Sequence, residues 1–311
     1  MEIQKHIPVL LKETIEGLNI KENGIYVDCT MGGAGHSAEI LRRLSKNGHL
    51  YCFDQDDYAI YRGQARLLEI GPNFTVIPDN FVNLKENLKK IDISQVDGVL
   101  YDLGVSSFQF DVGERGFSYN FDSRLDMRMN QKQDLSAFDI VNYYSYDELK
   151  KIFYLYGEER FAPGIAKRIV KEREKQPIET TFELVEIVKK SIPAFARRTG
   201  GHPAKQVFQA LRIAVNDELN VFEKSLSDAI SLLKSQGRIA VITFHSLEDR
   251  ICKNVFKKHV ENQFPSKLPL RANEIKPKFR LVNNKVITPT ENELQSNHRA
   301  HSAKLRILEK L

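Results

Sequence analysis

The chain has 311 residues, 41% hydrophobic and 28% charged, with a formal net charge of +5. That length suits one large domain, or one domain carrying a second, and the composition excludes disordered, collagen-like and disulfide-scaffold classes. No run approaches the ~18 apolar residues of a membrane span, and the opening MEIQKHIPVLLKE, charged on both sides of a short apolar run, does not read as a signal peptide.

The first hundred residues alternate strand and helix. Residues 24–29 (GIYVDC) form a short apolar run and read as a strand, followed by a Gly-rich turn and a helical stretch over 37–44. A second strand is expected over 49–54, a helix over 58–69, a third strand over 74–77 and a helix over 81–90. Residues 96–102 (VDGVLYD) make a fourth strand. Strands separated by helical patterns imply a parallel sheet with right-handed crossovers.

The pattern breaks over 103–130, a stretch rich in Gly, Asp, Ser and Phe with no clean period. A long loop inside a compact domain is usually functional or disordered, and the aromatic residues here (Phe108, Phe110, Phe117, Tyr119, Phe121) argue against disorder. Residues 136–215 read as helices without a strand, with N-cap signals at 135–136 and 180–181. After a helix over 217–234, a fifth strand is expected over 238–244, then a helix over 247–259 and a closing strand over 302–308. The simplest architecture is one α/β domain made from both ends of the chain. A helical domain is inserted between its fourth and fifth strands, with divisions at 1–108, 109–215 and 216–311.

Charge is unevenly placed. From Val241 to the end, 14 Lys and Arg stand against 7 Asp and Glu; from Lys151 to Val215 the counts are 13 and 7, so the remainder is acidic. Two basic segments favour a polyanionic partner, with solvated helix faces as the plain alternative.

The strongest local chemistry lies in the strand-to-helix turn DCTMGGAGH at 28–36. Its glycines let backbone N–H groups and a helix N-terminus approach a ligand closely. Asp54 ends the next strand, where a carboxylate suits ribose hydroxyls, and Asp102 ends the fourth. The glycines do not follow the G-x-G-x-x-G fingerprint. A plain tight turn is the alternative for the turn alone; with both acids, a nucleoside ligand across the strand ends is the better reading. Adenosyl-methionine fits as well as NAD, and nothing selects a pyrophosphate.

With these residues in view, the chain resembles the bacterial RsmH (MraW) family over nearly its full length. The resemblance rests on HIPVLL at 6–11, GHS at 35–37, DLGVSS at 102–107, RGFS at 115–118, LDMRM at 125–129 and YGEERF at 156–161. It continues through FQALRIAVN at 208–216, FHSLEDR at 244–250 and SAKLR at 302–306. The tail reads His298 and His301 where the family more often has Pro and Arg, which lowers the weight of the tail as an RNA anchor. The resemblance implies a Rossmann-like class I methyltransferase fold, α/β with a seven-stranded mostly parallel sheet and an inserted all-helical domain. It implies S-adenosylmethionine as cofactor and methylation of the exocyclic amine, N4, of a cytosine in the decoding centre of 16S rRNA. Carried over, the cofactor contacts are Ala34, Gly35, His36, Asp54, Phe81, Asp102 and Gln109. The partners expected are 16S rRNA within the small ribosomal subunit and a second copy of the chain as a homodimer, in the cytoplasm, with no membrane and no metal.

A cytosine amine is a poor nucleophile because its lone pair is delocalised, so orientation and a polar acceptor are needed. Asp102 with Ser106 is the expected catalytic pair, and His245 and Glu248 at the fifth-strand end are second candidates. Asp102 serving the cofactor alone, and His245 capping or packing a helix, are the alternatives. Candidate RNA contacts are Arg115, Phe117, Arg128, Arg197, Arg198 and Lys205; internal ion pairs for Arg115, Arg124 and Arg128, and packing for the aromatic residues, are the competing readings. The rival carbon-5 chemistry needs a cysteine nucleophile. None of Cys29, Cys52 and Cys252 lies in a Pro-Cys turn at the fourth-strand end, and their odd count fits a reducing compartment. A non-catalytic module that binds the cofactor or RNA is the other class of reading, and an NAD dehydrogenase lacks a hydride-transfer site.

Overall fold

The computed structural model describes residues 8–105, 113–198, 201–261 and 277–311. Ser106 and Gln109, with Phe108 and Phe110, lie outside the described residues, as does the side chain of Arg198. Two compact units are present, one from Met1–Gly104 with Leu219–Leu311, the other Val105–Glu218.

In the first unit, α1 (Leu11–Leu18) leads into β1 (Ile25–Asp28), α2 (Gly35–Arg43), β2 (His49–Phe53), α3 (Asp57–Leu68), β3 (Phe74–Ile77), α4 (Leu84–Lys90) and β4 (Val96–Asp102). The strands pair in the order β3-β2-β1-β4, continued by β5 (Leu233–Thr243), β7 (Lys304–Lys310) and β6 (Phe279–Leu281). The first five strands run parallel; β7 is antiparallel to β5 and to β6. This is a doubly wound α/β sheet with one reversed strand. Strand order turns between β1 and β4, and in such sheets ligands bind outside the carboxyl ends at that switch point.

Alternation along the strands explains why both faces are covered. Val99, Tyr101, Ile239 and Val241 pack with Leu84, Leu88, Phe222 and Phe256 on one face. Leu100, Ala240 and Ile242 pack with Ile15, Leu18, Ile40 and Leu41 on the other. Successive side chains point to opposite faces, so strands covered by helices on both sides read as continuous apolar runs.

Several elements depart from the sequence expectation. The helix expected over 81–90 opens as a 3-10 turn, Phe81–Asn83, because the Asn80 side chain accepts from Val82 N–H. The fifth strand begins at Leu233 rather than 238: Leu233 pairs with Val96 across a register shift, and α11 (Glu218–Leu232) stops before it. Helix α1, strand β6 and α13 (Glu291–Ser296) were not foreseen from local pattern; β6 has only three residues.

The second unit is helical: α5 (Ala137–Tyr143), α6 (Tyr146–Gly157), α7 (Ala162–Arg173), α8 (Thr181–Ser191), α9 (Ala194–Arg198) and α10 (Lys205–Asn216). Ser136 and Thr180 cap α5 and α8 with reciprocal bonds to Asp139 and Glu183. Asn216 donates to Met127 O and accepts from Met129 N–H, tying the LDMRM segment to the end of α10. Val215 packs in the helical core, and the compact helical unit runs through Glu218. Gly116 has φ +70°, and a Cβ there would lie 2.4 Å from Arg124 O, so the RGFS block needs glycine.

A buried polar relay joins β4 to α11. Tyr101 Oη and Ser225 Oγ are 2.7 Å apart, and Ser225 Oγ donates to Phe81 O at 2.9 Å. Ser225→Ala strands the phenol in the core and is expected to cost about 1–3 kcal/mol, whereas Tyr101→Phe leaves Ser225 bonded to Phe81 and is expected to cost about 0.5–1.5 kcal/mol. Urea denaturation of the two variants checks this order.

Candidate active site at the carboxyl edge of the sheet

The turn after β1 is fixed by a buried acid. Asp28 is 1% exposed; its Oδ1 accepts from Thr30 N–H at 3.0 Å and its Oδ2 from Ser37 Oγ at 2.6 Å. The carboxylate thus clamps the turn to the first residues of α2. Burial raises its pKa, opposed by these bonds. Ala34, at φ 55° and fully buried, turns the chain into α2, whose first turn has no side-chain cap. Amides at such a helix start are oriented for a ligand. Arg66 on α3 donates to Gly33 O at 3.1 Å and holds the turn from the other side.

Asp54 lies just beyond β2. Its Oδ2 accepts from Gly32 N–H at 2.8 Å and its Oδ1 from Asp56 N–H at 2.9 Å. Gln55 N–H is a third backbone donor to this carboxylate, which keeps acceptor capacity for one more. Burial pushes this carboxyl up to about 6. Gln55 accepts from the Asn80 side chain, linking the ends of β2 and β3. Phe81 stands edge-on to Tyr101 with ring centroids 5.7 Å apart and is partly buried.

Asp102 ends β4. Its backbone N–H donates to Thr30 Oγ1 at 2.7 Å, joining it to the Asp28 turn. Its Oδ2 lies 3.4 Å from His36 Nδ1, while Oδ1 is enclosed and without a hydrogen-bond partner among the described residues. The side chain remains 23% exposed. An enclosed acceptor without a donor costs free energy that a ligand donor relieves.

The structure therefore brings Ala34, Gly35, His36, Asp54 and Asp102 to one edge, with Phe81 beyond β3. It also shows what the sequence did not. The His36 ring is buried and turned toward Val9 O and Asp102, so a cofactor contact at 36 falls to the backbone. His245 and Glu248 form the cap of α12 (Ser246–Val260): His245 Nδ1 accepts from Glu248 N–H, and Glu248 Oε2 accepts from Phe244 and His245 N–H. His245 Nε2 lies 3.0 Å from Glu248 Oε1 but makes no hydrogen bond among the described residues. This is the capping alternative for His245.

In the helical unit, Phe117 is 4% exposed inside the core, with the Arg115 guanidinium over its ring. Arg128 bonds Asp126 through Nε and Nη2 and Gln133 O through Nη1, and Arg115 bonds the carbonyls of Arg128 and Met129. These three side chains thus serve internal packing and pairing, because their groups are already occupied. Arg197 and Lys205 are exposed. Cys29, Cys52 and Cys252 are buried free thiols, and burial raises the pKa of each. Among the described residues no helix is long and apolar enough to cross a membrane.

The MraW methylase family matches residues 3–311. The ribosomal RNA small subunit methyltransferase H of Exiguobacterium sibiricum is 58% identical over 308 residues, covering 99% of this chain and 98% of the relative. Among solved structures, a Clostridium thermocellum protein described as a candidate rRNA methylase overlaps with a TM-score of 0.47 at 16% identity, covering 99% of this chain and 100% of that one. An rRNA methylase of Streptococcus thermophilus overlaps at 0.42 and 13%, covering 99% of each. Overlaps this low leave the fold to be read from the strand order itself. The family match and the 58% relative span the whole chain, and the chain belongs to the MraW methylase family.

Proposed function

We propose that this chain transfers the methyl group of S-adenosylmethionine to the exocyclic amine of a cytosine in the decoding centre of 16S ribosomal RNA. The observation that carries the reading is the carboxyl edge of the sheet, where Asp28, Asp54 and Asp102 surround the Gly-rich turn and the amides of α2. The named relative is a ribosomal RNA small subunit methyltransferase, which supports the RNA class. An edge that presents the Asp54 and Asp102 carboxyl groups suits a cationic sulfonium and ammonium and disfavours a pyrophosphate.

When bound, the cofactor supplies an electrophilic methyl carbon: the amine lone pair forms the N–C bond and the C–S pair returns to sulfur. Asp54 accepts from a ribose hydroxyl through its remaining acceptor capacity. Asp102 accepts from the target amine, holds it in line and favours the positive charge that develops on nitrogen; the proton then leaves to solvent. Ser106 and Gln109 complete the first contacts in the same reading. The base is turned out of the folded RNA to reach this edge. Arg197, Arg198 and Lys205 contact phosphates, and the substrate is the small subunit in the cytoplasm.

Carbon-5 chemistry requires a thiolate on the ring, and all three thiols are buried with raised pKa. Direct transfer to nitrogen needs none. Small subunits lacking the modification, treated with the protein and methyl-labelled cofactor, should yield N4-methylcytidine by mass spectrometry of nucleosides. Asp102→Asn is expected to lower kcat by about 10²-fold or more. Full turnover of that variant would remove Asp102 from the reaction.

Asp54 sets a pH dependence. Its carboxyl, held up at about 6, must ionise to accept fully from the ribose, so affinity is lost as pH falls through that value. Titration calorimetry should show cofactor binding about tenfold weaker at pH 5 than at pH 7, and Asp54→Asn should flatten the difference. For RNA, removing Arg197 and Lys205 together should lower the slope of log affinity against log salt by about 1–2, as read by filter binding over a salt series.

A further inference from the structure

His36 is buried at 4% exposure, and the turn's ligand-facing work falls to its backbone. A buried imidazole with two engaged nitrogens needs its own explanation. Nε2 lies 3.0 Å from Val9 O, an atom that only accepts, so Nε2 carries a proton. Nδ1 faces Asp102 Oδ2 at 3.4 Å, and a carboxylate there also only accepts.

The N-terminal segment is built to hold this ring. A Cβ on Gly35 would lie 2.3 Å from Pro8 Cγ, so glycine lets Pro8 and Val9 close onto the start of α2. Leu10 adopts φ 52°, and its N–H donates to Glu293 Oε1 of α13 at 2.7 Å. These contacts set the direction of the Val9 carbonyl. They also give the HIPVLL block a task that neither cofactor nor RNA binding supplies.

We propose that the His36 imidazole is a positioning residue for methyl transfer: steered through Nε2 by Val9 O, it donates from Nδ1 to Asp102 Oδ2 and leaves Asp102 Oδ1 as the acceptor for the target amine. This rests on the role given to Asp102 under Proposed function. The charged groups facing the ring are Asp102 from β4 and Asp28 from β1; burial lowers its pKa, and these two carboxylates more than offset that. The ring therefore keeps both protons to a higher pH than an ordinary imidazole. As pH rises through its raised pKa, Nε2 keeps its proton for Val9 O and Nδ1 turns a lone pair toward Asp102, which loses its anchor.

Nitrogen-15 NMR of the imidazoles in the full chain over a pH series should show His36 Nδ1 losing its proton only above the ordinary imidazole range while Nε2 keeps its own; an Nδ1 that is bare at or below that range would overturn the assignment. Wild-type kcat should fall on the alkaline side. His36→Asn, whose amide does not titrate in this range, should lose that limb and lose about 10–100-fold in kcat, while cofactor Kd moves by less than about threefold. An unchanged alkaline limb with full kcat in His36→Asn would remove the His36 role alone. Full turnover in Asp102→Asn would remove the Asp102 reading with it. If His36→Asn fails to fold, the wild-type NMR spectrum decides.

Discussion

Everything at the carboxyl edge hangs on the buried carboxylate of Asp28. It ends a central strand, where β1 is flanked by β2 and β4, and its two oxygens take Thr30 N–H and Ser37 Oγ. Those bonds close the Gly-rich turn and set the entry of α2. Thr30, so fixed, meets the Asp102 amide, and Gly32 meets Asp54. Three strand ends are thereby registered against one another through side chains, in addition to backbone bonds such as Cys29 N–H to Leu100 O and Met31 N–H to Phe53 O. A parallel sheet supplies the edge; Asp28 makes it a site.

The electrostatics follow from the same packing. Burial holds the carboxyls of Asp28 and Asp54 above the ordinary range, against the hydrogen bonds that each accepts. The buried His36 offsets part of that charge beside Asp102. Such a site is poorly matched to a polyphosphate and well matched to a sulfonium. Asp102 Oδ1, without a hydrogen-bond partner among the described residues, marks where an incoming donor gains most, since His36 already faces the other oxygen.

Much of this could be seen in the chain before folding. The strands at 74–77 and 96–102 match their apolar runs; 96–102 is the buried parallel strand that announces itself by continuous hydrophobicity, while 74–77 lies at the sheet edge and is only partly buried. The insertion was visible as a loss of strand pattern, and Ser136 and Thr180 cap where Ser and Thr precede acidic residues. Other features depend on contacts far apart in sequence. The start of α1 is stabilised by Glu293, 283 residues away, and no local signal encodes that. The family resemblance carried His36 over as a cofactor contact; the burial of its ring depends on where Val9 returns. Phe117 and Arg128 looked available for RNA because aromatic and basic residues in a loop suit it, but the helical core and Asp126 engage them first.

The central claim is that Asp102, held by His36 on one oxygen, grips the target amine with the other. A crystal structure of the protein with S-adenosylhomocysteine and cytidine tests it most directly. The expected result is a cytidine N4 within about 2.6–3.2 Å of an Asp102 oxygen, with His36 still on the other. An Asp102 carboxylate occupied only by the cofactor, with N4 bonded elsewhere, would contradict it.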